Sequence, residues 1–215
     1  MIRVVIADDH TIVRDGLKQL LAHPDFCVVG EACDGQDVMQ RVRELEFDVL
    51  LLDLSMPKKA GIELIKQVKN EKPTLRVLVL SMHEEQQYAI RAIRAGAAGY
   101  MTKESASAQL LAAIRRVAAG GAFISTAVAE QLARDAMPKS DSLPHTKLSD
   151  REYQVFHLLV SGRTVSEIAD QINLSVKTVS THKARLMEKM GITNQADLVR
   201  YAIAHRLLDY PDAID

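Results

Sequence analysis

The sequence predicts an α/β fold, a doubly wound five-stranded parallel sheet, followed by a small all-α domain of four helices. Three observations carry that expectation. Up to about Ser125, short β-branched and leucine-rich runs alternate with longer amphipathic stretches, the pattern of a βα repeat. After Leu148 no strand pattern recurs, and four stretches of helical spacing are separated by turns at Gly162, Asn173-Leu174 and Gly191. Between the two regions, residues 137–146 are mostly polar and contain Pro138 and Pro144, which cannot propagate a helix. A chain of 215 residues then divides into a domain over 1–123, a linker over 124–146 with a short helix at 127–136, and a helical domain over 147–209.

The strands are expected at 4–6, 27–32, 49–52, 77–80 and 99–101. Several are apolar without alternation, as a parallel sheet covered on both faces requires. Helices are expected between and after them at 13–21, 36–45, 62–70, 86–95 and 108–119. In the first, Ile12, Val13, Leu17, Leu20 and Leu21 recur at helical spacing, and in the last Leu110, Leu111, Ile114 and Val117 do so. In the second domain Ser149 is placed to cap a helix, with Glu152 at the capping-box position and Val155, Phe156, Leu158 and Leu159 as its apolar face. Gly162 ends that helix, and Val165, Ile168, Ala169 and Ile172 form the buried side of the next. Ser175 caps a third helix, 176–190, which turns Val179, Leu186, Met187 and Met190 to the core. A fourth, 195–207, carries Ala196, Leu198, Val199, Ala202 and Ile203.

Composition narrows the function classes. Hydrophobic residues at 47% and charged residues at 26% exclude a disordered or fibrous chain. No apolar run approaches the roughly 20 residues that span a bilayer, and a strand pattern starts almost at Met1, with no room for a signal peptide. A cytoplasmic protein with no membrane contact is expected. Cys27 and Cys33 fall in one extended segment, roughly 20 Å apart at about 3.3 Å per residue, so they are read as free structural thiols. Net charge is −1, yet the whole-chain value hides a local concentration. Within 175–189, Lys177, Lys183, Arg185 and Lys189 face Glu188 alone.

Three carboxylates stand where strands end: Asp8 and Asp9 after the first, Asp53 after the third. The carboxyl ends of the strands form the binding crevice of an open parallel sheet, so these acids converge. Like charges held close repel unless a cation neutralises them, and an all-oxygen set suits Mg²⁺. Ser81 after the fourth strand and Lys103 after the fifth share that edge. The set suits phosphoryl transfer. Asp53 is the candidate nucleophile, Asp8, Asp9, Asp53 and the backbone carbonyl of Ser55 the candidate metal ligands, and Lys103 the partner of a phosphoryl oxygen. Singly, these residues have plainer readings: Asp8 or Asp9 as the cap of a helix near Thr11, Ser81 and Lys103 as loop residues.

Ala-Asp-Asp-His, Leu-Asp-Leu-Ser-Met-Pro, Leu-Ser and Tyr-Met-Thr-Lys stand in that order at four strand ends. Over residues 1 to about 123 the chain thereby resembles the flavodoxin-like receiver domains of two-component signalling. The resemblance implies a sensor histidine kinase as phosphodonor and a relay in which Ser81 swings toward the phosphoryl group and Tyr100 rotates inward behind it. Tyr100 can equally be an ordinary edge-strand aromatic. One departure stands out: Glu104 follows Lys103 where many receivers have proline, and a cis peptide there would cost more without it.

On the third helix of the second domain, Lys177, Ser180, Thr181 and Ala184 share one face at i, i+3, i+4 and i+7, flanked by His182, Lys183, Arg185 and Lys189. Short polar side chains ringed by cations suit a helix laid in the major groove, although a solvated basic face is the plainer alternative. The order Leu-Ser-Asp-Arg-Glu, Gly-Arg-Thr-Val-Ser-Glu-Ile-Ala, Leu-Ser-Val-Lys-Thr-Val-Ser-Thr-His and Met-Glu-Lys-Met resembles the LuxR-type helix-turn-helix. Joined to a receiver, it is the architecture of the NarL/FixJ family. That resemblance puts Ser180, Thr181 and Ala184 at base edges, and Lys177, Thr178, His182, Lys183, Arg185 and Lys189 at the phosphate backbone. It also implies a homodimer on an inverted repeat in promoter DNA, with Leu198, Val199 and Ala202 of the last helix as the dimer contact, unless that helix only closes the core.

The combined expectation is a transcription regulator whose promoter binding and dimerisation are controlled by phosphorylation of Asp53, with no enzymatic activity beyond its own phosphoryl transfer and slow dephosphorylation. A phosphatase using Asp53 transiently would need a second Asp two positions on, where Ser55 stands. A regulator with a vestigial pocket is opposed by the completeness of the acid set.

Overall fold

A computed structural model describes residues 1–56, 61–81, 86–136, 143–205 and 207–208. Pro57 of the third-strand motif, the linker residues 137–142 with Pro138, Arg206 near the end of the last expected helix, and Asp209 lie outside the described residues. The chain divides into two compact units, Met1–Ala133 and Arg134–Asp215. No described helix is long and apolar enough to cross a membrane.

The first unit is a five-stranded parallel sheet of β1 (Ile2–Ala7), β2 (Phe26–Ala32), β3 (Val49–Asp53), β4 (Arg76–Ser81) and β5 (Gly99–Thr102), in the order β2-β1-β3-β4-β5. Helices α1 (Thr11–Leu20), α2 (Gly35–Glu44), α3 (Ile62–Glu71), α4 (Gln86–Arg94) and α5 (Lys103–Ala118) connect and follow the strands, and α6 (Thr126–Ala136) comes next. Alternate residues of each strand serve opposite faces. Val5, Ala7, Leu50, Leu52, Val77 and Val79 pack with Val38 and Val42 of α2, Leu64, Ile65 and Val68 of α3, and Ala89 and Ile90 of α4. Val4, Ile6, Val49, Leu51, Leu78 and Leu80 pack with Leu17 of α1 and Leu110, Ile114 and Val117 of α5. Both faces being covered, the strands need no polar side, which is why they read as continuous apolar runs.

Two expectations are corrected. Ile12 and Leu20, part of the apolar spacing read for α1, are 82% and 39% exposed, because the inward line of the helix is Val13, Leu17 and Leu21 and both residues fall beside it. Helix α5 starts at Lys103 rather than near residue 108. Thr102 caps it by accepting from the Ser105 N–H, and a polar first turn carries no apolar period to read. Beyond α5, the Phe123 segment runs along the β5 edge: the Tyr100 N–H donates to the Phe123 carbonyl and the Phe123 N–H to that of Ala98. Gly99 permits the approach, since a Cβ there would stand 2.9 Å from the Phe123 carbonyl oxygen and 2.7 Å from Leu78. Val128 of α6 is buried in the sheet core beside Ile124 and Leu132. Both cysteines are free.

The second unit holds α7 (Asp150–Val160), α8 (Val165–Gln171), α9 (Val176–Met190) and α10 (Gln195–Ala204). Ser149 and Thr164 each close a capping box, with Glu152 and Glu167, while Ser175 and Asn194 cap the other two helices. Left-handed backbone at Gly162, Asn173 and Gly191 turns the chain between them. Tyr153, Phe156, Leu159, Ile168, Val179, Leu186, Leu198 and Ala202 form the core. Pro144 opens a 3-10 turn, Pro144–Lys147, inside the segment expected as linker. Its His145 is buried, with Nδ1 2.8 Å from the Tyr201 hydroxyl and the His205 ring nearby.

Phe156 is fully buried against Tyr153, so Phe156→Ala is expected to cost about 3–5 kcal/mol in denaturant unfolding of the helical unit. A loss under about 1 kcal/mol would mean that this core repacks freely.

Candidate functional site

The strand order reverses direction between β1 and β3, and the crevice opens at their carboxyl ends. Register brings those ends level: Ala7 pairs with Leu52, Asp53 with Leu80, and Ser81 with Thr102. Asp8, Asp53, Ser81 and Lys103 therefore emerge along one edge. Asp8 and Asp53 are each 1% exposed and Ser81 3%. The Lys103 ammonium lies between the two acids, Nζ donating to Asp8 Oδ2 at 2.6 Å and to Asp53 Oδ2 at 2.9 Å. Backbone N–H groups hold the other oxygens: His10 donates to Asp8 Oδ1 at 2.9 Å and Ser55 to Asp53 Oδ1 at 3.0 Å. Burial pushes the Lys103 pKa down, but the hydrogen bonds and charges of Asp8 and Asp53 outweigh it and hold the ammonium above the ordinary lysine value.

Asp9 is more open and pairs with the His10 ring, Nδ1 to Oδ1 at 2.8 Å. One ligand atom from each of Asp8, Asp9, His10 and Asp53 lies within 4.8 Å of the others, so the cluster can hold a metal ion. Three carboxylates against one ammonium leave two negative charges uncompensated, which favours a divalent cation.

Arg14 was not singled out from the sequence, yet it fixes the turn that carries these acids. Its guanidinium donates from Nη1 to the Asp8 carbonyl at 2.8 Å, from Nη2 to the Thr11 hydroxyl at 3.2 Å and from Nε to Glu31 Oε2 at 2.9 Å. An Arg one turn into a helix resembles any solvated cation in a sequence, and its partner Glu31 lies 17 residues away on β2. Tyr100 is 7% exposed and lines a half-open cavity of about 380 Å³ with Gln109, Phe123, Ile124 and Val128. Among the described residues no peptide is cis, so Lys103 runs straight into α5 without the proline-type turn.

In the second unit, α9 exposes Lys177, Ser180, Thr181, Ala184, Arg185 and Lys189, with Thr178, His182 and Lys183 half-buried. The Ser180 and Thr181 hydroxyls donate to the carbonyls of Val176 and Lys177, one turn back. Three of the flanking residues differ from simple free cations. Lys189 Nζ donates to Glu152 Oε2 at 2.6 Å, tying α9 to the buried start of α7. Lys183 Nζ reaches Gln195 Oε1 at 3.1 Å. Burial holds the His182 imidazole below its ordinary pKa, with Glu152 opposing and Arg151 and Arg185 adding. Its Nδ1 is buried without a hydrogen-bond partner.

Of the residues expected at the dimer contact, Leu198 and Ala202 are 0% exposed and pack in the unit's own core, which matches the alternative that this helix closes the core. Val199 is half-buried, and Ile203 at 48% is the large apolar residue that α10 exposes.

Residues 4–115 match the family described as response regulator receiver domain, and residues 146–202 the bacterial regulatory proteins of the luxR family. The chain is 38% identical to the response regulator GacA of Pseudomonas viridiflava, over 97% of this chain and 99% of that protein. It is 35% identical to the response regulator UvrY of Escherichia coli, over 96% of each. Among solved structures, RcsB of Salmonella typhimurium is similar at TM-score 0.72 and 31% identity, covering 94% of this chain and 97% of that one. RcsB bound to the promoter rprA in the presence of phosphomimetic BeF3- is similar at 0.64 and 30%, covering 93% and 97%.

Two outcomes follow from these contacts. Arg14→Met removes the clamp on the Asp8 carbonyl and is expected to weaken divalent-ion binding at the pocket by about tenfold in calorimetric titration. Unchanged affinity would show that the turn holds itself. Burial pushes the Glu152 carboxyl up, and the Lys189 and Ser149 hydrogen bonds more than reverse it, leaving it below the ordinary carboxylate value. Its stabilising contribution is therefore complete above the unfolded value near 4.5 and is lost as pH falls through the lower folded value. Glu152→Gln should cost about 1–2 kcal/mol at pH 7 and flatten the acid limb of the stability profile. An unaltered limb would remove Glu152 as its source.

Proposed function

The chain belongs to the NarL/FixJ family of response regulators, which join a receiver domain to a LuxR-type DNA-binding domain and regulate transcription, and from that membership we propose residue roles for its phosphoryl-acceptor and DNA-contact sites. A sensor histidine kinase transfers a phosphoryl group to Asp53, and the modified receiver changes the affinity of the helical domain for promoter DNA. The observation that carries the reading is the Lys103 ammonium shared between Asp8 and Asp53 at 2.6 and 2.9 Å.

In the transfer a carboxylate oxygen of Asp53 forms the bond to phosphorus, and the bond from phosphorus to the donor imidazole nitrogen breaks, its electron pair leaving with that nitrogen. Lys103, now between two carboxylates, moves onto a phosphoryl oxygen and frees Asp53 Oδ2 to attack. Asp8, Asp9, Asp53 and the Ser55 carbonyl would hold Mg²⁺, which when bound would neutralise phosphoryl charge. The oxygen donors and the uncompensated charge of the cluster support that ion. Ser81, buried at the end of β4, hydrogen-bonds the phosphoryl group, and Tyr100, beside the cavity, shifts with it. The receiver's own chemistry is this transfer and a slow hydrolysis in which water takes the phosphoryl group from Asp53 as inorganic phosphate.

On DNA, Ser180 and Thr181 act as acceptors at base edges, because their hydroxyl protons are already given to the helix backbone. Ala184 offers contact with a thymine methyl. Lys177, Lys183 and Arg185 pair with phosphates, Thr178 and His182 hydrogen-bond to them, and Lys189 reaches them only by sharing Glu152. Pairing of two copies on an inverted repeat supplies specific affinity, since one short helix makes few base contacts.

Incubation with a small phosphodonor is expected to give a hydroxylamine-labile phosphate on the wild type and none on Asp53→Asn. Labelling of the variant at the wild-type level would move the acceptor elsewhere. Lys183→Ala is expected to weaken binding to all DNA sequences alike and to lower the salt slope by about one unit. An unchanged slope would take Lys183 out of the phosphate set.

A further inference from the structure

We propose that His10 is a fourth side-chain ligand of the acidic pocket, and that its imidazole lets the site take a first-row transition ion as well as Mg²⁺. The inference rests on reading the pocket as a cation site and adds a nitrogen donor to its oxygen set.

His10 occupies the N-cap position of α1 but makes no side-chain cap bond. Asp, Asn, Ser or Thr would satisfy a helix N–H there, and a histidine forgoes that gain. Its ring is turned to the acids instead: Nδ1 lies 2.8 Å from Asp9 Oδ1 and 3.4 Å from Asp8 Oδ1. Neighbouring ligands on an octahedral ion with bonds of about 2.1 Å are about 3 Å apart, so this spacing already matches adjacent coordination positions. The residue is also anchored. Its backbone N–H donates to Asp8 Oδ1, and its carbonyl accepts from Val13 and Arg14 in the first turn of α1. Coordination through Nδ1 requires the ring proton on Nε2, which a side chain 64% exposed exchanges freely with water.

Donor chemistry sets the consequence. Mg²⁺ is hard and takes oxygen, so it gains little from an imidazole, whereas Co²⁺, Ni²⁺ and Zn²⁺ bind imidazole well. His10 therefore discriminates between ions that the three carboxylates alone rank by charge and size.

The test titrates the full-length wild type and His10→Ala with MgCl2 and, separately, with CoCl2 at pH 7.5, reading affinity by calorimetry. His10→Ala is expected to weaken Co²⁺ by about tenfold or more and to change Mg²⁺ by less than about threefold. The wild-type Co²⁺ complex should also show hyperfine-shifted ring-proton resonances that His10→Ala lacks. Equal changes for the two ions, or no change for Co²⁺, would overturn the assignment. Retained Mg²⁺ affinity in the variant shows that the pocket has folded. Failure of the wild type to bind Mg²⁺ would instead sink the underlying reading of the pocket, and the inference with it.

Discussion

Burying two carboxylates side by side costs more than most folds can carry, and the receiver unit does so only because Lys103 stands between them. Asp8 and Asp53 come from neighbouring strands, 45 residues apart in sequence, and Lys103 from a third element 50 residues further on. Strand order 2-1-3-4-5 brings all three to one edge, and the parallel register sets their height. Most of the unit can be seen as support for that triad: the apolar layers on both sheet faces fix the strands, and the Arg14 clamp and the Ser55 N–H fix the oxygens. The negative charge that remains after Lys103 is counted favours a divalent cation at this edge.

Much of this was legible in the chain. A parallel sheet buried on both faces writes itself as apolar runs, and residues directly after such runs must meet at one edge, so the sequence alone groups Asp8, Asp53, Ser81 and Lys103. Ile12 and Arg14 could not be placed in the same way. Helical spacing grouped Ile12 with Leu17 and Leu21 although it lies beside that line and is exposed, and the partners that hold Arg14, Glu31 and the Asp8 carbonyl, lie outside the helix. The start of α5 was misplaced by five residues for a related reason: Thr102 and Ser105 specify it by hydrogen bonds, and hydrogen bonds leave no periodicity.

In the helical unit the caps at Ser149 and Ser175 were readable because capping is local. Long-range polar pairs were not. Glu152 was visible as a cap but not as the partner of Lys189, and that pairing changes the chemistry of the basic face by engaging one of its cations. His182 reads as a flanking cation in the sequence, whereas in the fold burial holds its pKa below the ordinary value. At Leu198 and Ala202 the apolar stripe allowed both an interface and a core reading, and in the fold the core takes up both residues.

The central claim is that chemistry at Asp53 sets the DNA affinity of residues on α9. It is tested most directly by measuring binding of the full-length chain to its promoter DNA with and without beryllofluoride and Mg²⁺, for the wild type and for Asp53→Asn. Beryllofluoride is expected to raise the affinity of the wild type by about tenfold or more and to leave the variant where it was. Equal affinity with and without the phosphoryl mimic in the wild type would contradict the coupling, and an equal rise in Asp53→Asn would place its source elsewhere.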